Sequence, residues 1–396
     1  MAPEMTKRER YLAALRGGTP DEVCLQPEMW SSMPKRLLGL PFYKVGEWRM
    51  DHQPFTEVPR WKAQLEAARR FDVTAWVIPV SGGPVEALSL ASYIDKETEV
   101  EELPDGGIRV RYTYQSSRGP LTDSFVCPPD NEVFHEEGYI KDFEEEWERY
   151  SELFFVDPWK YDVSEIDEAL EATGEDGIVS ALVGSYFIDF IALARDKEIN
   201  QAIMDLYDHR DYLKALQERY IDYMGERTRM LCQKTGADEI YLGCGYSMPP
   251  LISPLLFQEW DVPVLRRICE VADGEGVPVH IHQHGYCREF LEPIVDCGVA
   301  LICPLEAPPR GDVDLAEVKR TFGDRIALKG NISNEVLEGG TPDEVAQEVK
   351  RCITQAGHGG RFILGTSGQV PRDTPFANMD AMREACRLYG RYPLAV

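Results

Sequence analysis

Eight short, apolar, β-rich runs punctuate the chain, at 23–29, 72–79, 177–184, 238–244, 278–284, 300–306, 325–331 and 361–367. Most are separated by segments in which apolar residues return every three or four positions, the period of a helix with one buried face. The longest such segment covers 200–233, with Gly236 placed as its C-cap. Ser253-Pro254 opens a helix running to residue 270 in N-cap and first-turn style. Residues 312–322 and 341–355 give two more, the latter beginning Thr-Pro-Asp-Glu: a capping residue, a proline and an acidic first turn. Strand and helix alternating eight times predicts an α/β fold, a single TIM-type (β/α)8 barrel over 1–396 with an N-terminal extension. No internal repeat and no Pro/Gly/Ser-rich linker divides it.

One stretch interrupts the alternation after the second run. Residues 95–176 hold two strand-like segments, 108–115 and 121–127, and then Phe143, Trp147, Tyr150 and Phe154 at helical spacing. This predicts an inserted hairpin and helix. It carries 25 acidic and 7 basic residues, a net of −18 out of −26 for the whole chain. The total charge argues against a nucleic-acid backbone or an anionic membrane as partner. Its distribution leaves the barrel only mildly acidic. The ten cysteines are scattered without a Cys-x-x-Cys pair. No signal-type apolar run opens the chain and none is long enough to span a bilayer, so the thiols read as reduced, in a cytoplasmic protein.

In a (β/α)8 barrel the chemistry gathers at the C-terminal ends of the strands. The fifth run reads Val277-Pro-Val-His-Ile-His-Gln-His-Gly285, and the period of a strand puts His280, His282 and His284 on one face. His280 is then deepest, with His282 and His284 reaching the mouth as a pair suited to a transition metal. The alternative is one or two histidines hydrogen-bonded in a polar core. Neighbouring strand ends offer Cys244, between two glycines, and Glu306, a partner for an imidazole or a contact for substrate. Glu259, early in the next helix, is a further candidate ligand. Tyr246, Met248, Asn331 and Ser367 stand at strand ends as candidate substrate contacts, and Trp30, Trp76 and Tyr186 add aromatic surface.

Several segments together resemble the uroporphyrinogen decarboxylase superfamily. They are Met5-Thr-Lys-Arg-Glu-Arg-Tyr-Leu-Ala-Ala-Leu-Arg16, Gly236-Ala-Asp238, Leu251-Ile-Ser-Pro254, His282 to Gly285, Leu328-Lys-Gly-Asn-Ile332, Gly340-Thr-Pro-Asp-Glu-Val345 and Asp373-Thr-Pro-Phe-Ala-Asn378. The resemblance covers nearly the whole chain and implies a (β/α)8 barrel. The haem-pathway decarboxylase carries an arginine-rich motif near its start, whereas this chain has Gln26-Pro-Glu-Met-Trp-Ser-Ser32. The resemblance therefore leans towards the corrinoid-linked zinc methyltransferases. Their His-x-Cys zinc pair falls on His282 and His284, and their later cysteine on Thr366 or Ser367. Two acidic ligands of demethylating relatives fall near Cys244 and Glu259. What it implies is a metal-dependent methyltransferase using zinc, passing a methyl group between a small methylated substrate and a corrinoid, free or on a partner protein. A decarboxylase or lyase of the same superfamily is the alternative enzyme. A metal- or corrinoid-binding protein without turnover is the alternative of another class.

Overall fold

A computed structural model describes residues 4–47, 51–84 and 87–395 and places a strand in each of the eight predicted runs. The first two are β1 (Cys24–Leu25) and β2 (Ala75–Val77). A separate sheet follows: β3 (Lys96–Glu102), β4 (Ile108–Ser116), β5 (Gly119–Cys127) and β6 (Phe134–Glu137). The remaining six are β7 (Gly177–Ser185), β8 (Glu239–Gly243), β9 (Val279–Gln283), β10 (Leu301–Pro304), β11 (Ala327–Ile332) and β12 (Phe362–Thr366). The eight-stranded sheet is parallel, in the order β1-β12-β11-β10-β9-β8-β7-β2. Its two edges meet where the Thr74 N–H donates to the Leu25 carbonyl at 2.9 Å and Gln26 Nε2 donates to the Ala75 carbonyl at 3.2 Å.

Every residue of β7, β8 and β9 is buried, because helices cover the outside and side chains fill the inside. Register decides what meets at the centre. Tyr241 pairs with His280, and Cys303 pairs with His282, so these four side chains share the interior face. Below them the filling stays polar and aromatic. The Trp76 ring stacks on His280 at 4.9 Å, and Lys329 Nζ lies 3.4 Å from the Trp76 ring centre and 2.8 Å from Gln26 Oε1. The N-terminal helix Lys7–Leu15, held by a Thr6/Glu9 capping box, covers the opposite end, where the Tyr11 hydroxyl donates to Glu239 at 2.6 Å.

Three expectations are corrected. The insertion is a four-stranded antiparallel sheet rather than a hairpin, since β3 and β6 flank the two expected strands. Alternation in β4 buries Ile108, Val110, Tyr112 and Tyr114, and the Phe143–Phe154 helix sets Trp147, Tyr150 and Phe154 against Phe190. The helix expected over 200–233 is two, Glu198–Asp208 and Arg210–Lys234, and it ends in extended Thr235 instead of at Gly236. The helix expected from 254 to 270 breaks at Asp261 into Pro254–Trp260 and Val262–Gly274. Asp261 is wholly buried there, accepting the Ile188 N–H at 2.9 Å and the Ser247 hydroxyl.

Candidate functional site

The strand ends open into a cavity of about 680 Å³, lined on its inner wall by Glu28, Trp30, Tyr241, Cys244, His282 and His284. β9 and the residue that follows it deliver the histidines in the expected order of depth. His280 is sealed from solvent, His282 is 5% exposed and His284 stands at the mouth.

Each imidazole faces a carboxylate. His280 Nδ1 lies 2.7 Å from Glu239 Oε1, His282 Nε2 lies 3.5 Å from Glu28 Oε1, and His284 Nδ1 lies 3.1 Å from Glu306 Oε2. The imidazoles are also linked to one another. Cys303 Sγ is 3.1 Å from both His280 Nε2 and His282 Nδ1, and the Nε2 atoms of His282 and His284 face one another at 2.7 Å. Burial, reinforced by the neighbouring imidazoles, holds His282 well below the ordinary histidine pKa. Burial opposes charging His284 too, but Glu306 beside it moves the net shift upward. Of the two, His284 is therefore the one that takes up a proton first.

Glu28 follows β1 and is 1% exposed. Its Oε1 receives the Trp30 indole N–H, while its buried Oε2 has no hydrogen-bond partner. Burial raises its carboxyl pKa. Among the described residues, Glu28, His282 and Cys303 form a set of three side chains whose ligand atoms lie within 4.8 Å of one another.

The other expected site residues divide. Cys244, Tyr246, Glu306 and Ser367 line the cavity with the two mouth histidines. Glu306 also receives the Gly285 N–H at 2.5 Å, which anchors the loop after β9. The Cys244 thiol donates to the Ser247 carbonyl at 3.4 Å. Glu259 is not brought to them. It sits late in a short helix and pairs with Arg210 and Lys214 of the Arg210–Lys234 helix. Asn331 turns towards the helix Pro342–Ala356, donating to the Leu305 carbonyl at 2.8 Å and accepting from Arg351 at 3.0 Å. Met248 packs behind Gly285, whose left-handed φ of +76° and lack of a Cβ leave room for the Met248 sulfur.

Glu28, Cys303 and Asp189 were missed as site residues. Asp189 is buried and its carboxylate accepts the N–H groups of Gly245, Tyr246 and Ser247 at 2.6, 2.8 and 3.1 Å, fixing the loop after β8. A signal existed for Cys303, because parallel strands in register put it level with His282. The inserted sheet reaches this region as well. Phe125, Phe134 and His135 line a hollow of about 390 Å³ that shares Tyr246 with the mouth cavity.

The uroporphyrinogen decarboxylase (URO-D) family matches residues 164–389, more than half of the chain. A uroporphyrinogen decarboxylase of Serratia proteamaculans (strain 568) is 32% identical over 113 residues, 28% of this chain and 30% of that protein. A methylcobamide:CoM methyltransferase, MtaA, of Methanosarcina barkeri is 28% identical over 150 residues, 38% of this chain and 41% of that protein. The chain thus spans less than half the length of these curated relatives. A solved methyltransferase from Methanosarcina mazei shares the fold over 98% of this chain and 99% of its own, with a TM-score of 0.61 at 19% identity.

Proposed function

Because the chain belongs to the uroporphyrinogen decarboxylase family, we propose that it is a methyltransferase of that family, working between a small methylated substrate and a corrinoid, free or carried by a partner protein. One observation carries this reading. Behind the barrel mouth the ligand atoms of Glu28, His282 and Cys303 lie within 4.8 Å of one another, all three side chains are buried, and Glu28 keeps an oxygen that nothing donates to. Nitrogen, sulfur and carboxylate donors gathered this closely suit zinc, and the orphaned oxygen of Glu28 is a place where the protein alone leaves a polar group unsatisfied. His282, with Glu28 in reach, is the residue that holds the ion in this reading.

Bound there, zinc supplies a Lewis acid for the oxygen, nitrogen or sulfur that carries or receives the methyl group. The chain's own residues do the rest. Glu306 fixes the His284 ring through Nδ1, and Asp189 fixes the loop that presents Tyr246. Trp30, Tyr241 and Tyr246 give the cavity apolar walls for a methylated group. Glu28, Asp189 and Glu306 outnumber the one cation among the described lining residues, Arg310, which is itself paired with Glu335. Such a mouth disfavours a substrate with many carboxylates, and this sets the methyltransferase reading above decarboxylation of a porphyrinogen.

The test is metal content. Protein purified under zinc-replete conditions is expected to carry one ion per chain, and His282→Ala to carry none. Metal-free wild type under those conditions contradicts the reading.

A further inference from the structure

We propose that the metal is held by Glu28, His282 Nδ1 and Cys303, and that His284 is a positioning residue behind His282, with neither His284 nor Cys244 a ligand. This deepens the zinc reading above and rests on it.

Four observations converge. Cys303 and His282 are register partners on adjacent parallel strands, and Sγ lies 3.1 Å from Nδ1. The ligand atoms of Glu28, His282 and Cys303 lie within 4.8 Å of one another, and all three residues are buried. Glu28 Oε2 is buried without a hydrogen-bond partner, so the cluster lacks one electropositive neighbour. The fourth observation is the distribution of hydrogens on the imidazoles. Glu306 Oε2 already accepts the Gly285 N–H, and His284 Nδ1 lies 3.1 Å from it, which leaves His284 Nε2 as an acceptor. That acceptor points at His282 Nε2 across 2.7 Å. Nitrogen lone pairs cannot face each other so closely without a hydrogen or a cation between them. With the metal on Nδ1, His282 carries its hydrogen on Nε2 and donates it to His284, which satisfies the pair at the mouth.

Charge agrees with this assignment. A carboxylate and a thiolate offset a divalent cation, with His282 neutral. Imidazole, thiolate and carboxylate are a set that zinc and cobalt accept, and three protein ligands leave a position open for substrate. Glu28 and His282 both line the mouth cavity, so that position faces it. Cys244 has different surroundings: its thiol is committed to the Ser247 carbonyl, and Asp189 holds the adjoining loop.

Cobalt(II) substitution tests the ligand set without reference to turnover, because a thiolate on cobalt gives a sulfur-to-metal charge-transfer band in the near ultraviolet. The full chain loaded with cobalt is expected to show that band. Cys303→Ser, which keeps the packing volume, is expected to lose it, while Cys244→Ala and His284→Gln keep both the band and one metal per chain. Loss of the band in Cys244→Ala with retention in Cys303→Ser overturns the proposal. So does loss of the metal in His284→Gln, or stoichiometric cobalt with no sulfur band. The last outcome leaves the metal-dependent reading standing, whereas failure to bind cobalt at all removes both.

Discussion

Glu306 Oε2 lies 3.1 Å from His284 Nδ1, and that contact sets the orientation of the imidazole at the barrel mouth. A carboxylate behind a histidine fixes which ring nitrogen carries the hydrogen. Glu306→Gln keeps the shape and weakens that control. Because His284 stands one residue behind the ligand His282, metal affinity, read by competition with a chromophoric chelator, is expected to fall by less than the ~10- to 100-fold of a group bonded directly to a ligand, with the fold intact. An unchanged affinity would mean that the contact has no part in the site.

Asp189 offers a different dependence, since its carboxylate accepts three consecutive N–H groups of the loop that carries Tyr246. Asp189→Ala leaves those donors without their acceptor, the Ser247 N–H in a buried setting. Denaturant unfolding is expected to show a loss of about 3 kcal/mol. KM for substrate is expected to rise with it, because the cavity wall is no longer held. A stability loss with unchanged KM would limit Asp189 to packing.

The residues left outside the cavity give the opposite expectation. Asn331→Ala breaks hydrogen bonds to the Leu305 carbonyl and Arg351 and is expected to cost about 1–2 kcal/mol of stability. Glu259→Gln touches only exposed ion pairs, which contribute little. Neither change is expected to alter metal stoichiometry or KM. A rise in KM for Asn331→Ala, measured under saturating metal, would return that residue to the site.

Stability should also depend on pH through Glu47. This residue, Lys35 and Glu132 meet where the insertion joins the segment after β1. Burial, against the pull of Lys35, pushes the Glu47 carboxyl up to about 8. A carboxyl whose folded pKa exceeds its unfolded value binds protons more tightly in the native state, so stability falls as pH rises towards the folded pKa. The melting temperature is expected to decline from about pH 5 to about pH 8, and Glu47→Gln to remove that slope. A wild-type profile that stays flat over this range contradicts the assignment.

The barrel was legible because its signals are local. Each strand is a short apolar run, and cappers such as Thr6 and Thr341 mark their helices with box geometry. β3 was not legible, since Glu97, Glu99, Glu101 and Glu102 are exposed and the strand is specified by its pairing with β4. The break at Asp261 was hidden for a related reason: its partners Ile188 and Ser247 lie on other segments, outside the helix itself. In the site, the histidine face followed from period two alone. Cys303 and Glu28 required knowledge of register between strands, and one chain read by itself does not show register. Glu259 and Asn331 misled because position near a strand end says where a backbone lies and leaves the side-chain direction open.

The most direct measurement is the absorbance of methylcobalamin mixed with zinc-loaded protein and a panel of thiol, amine and phenol acceptors. Loss of the methylcobalamin spectrum is expected with at least one acceptor class. No change is expected when the protein is stripped by a chelator or carries His282→Ala. Demethylation at equal rates with and without metal, or no spectral change with any acceptor, would contradict the methyltransferase reading.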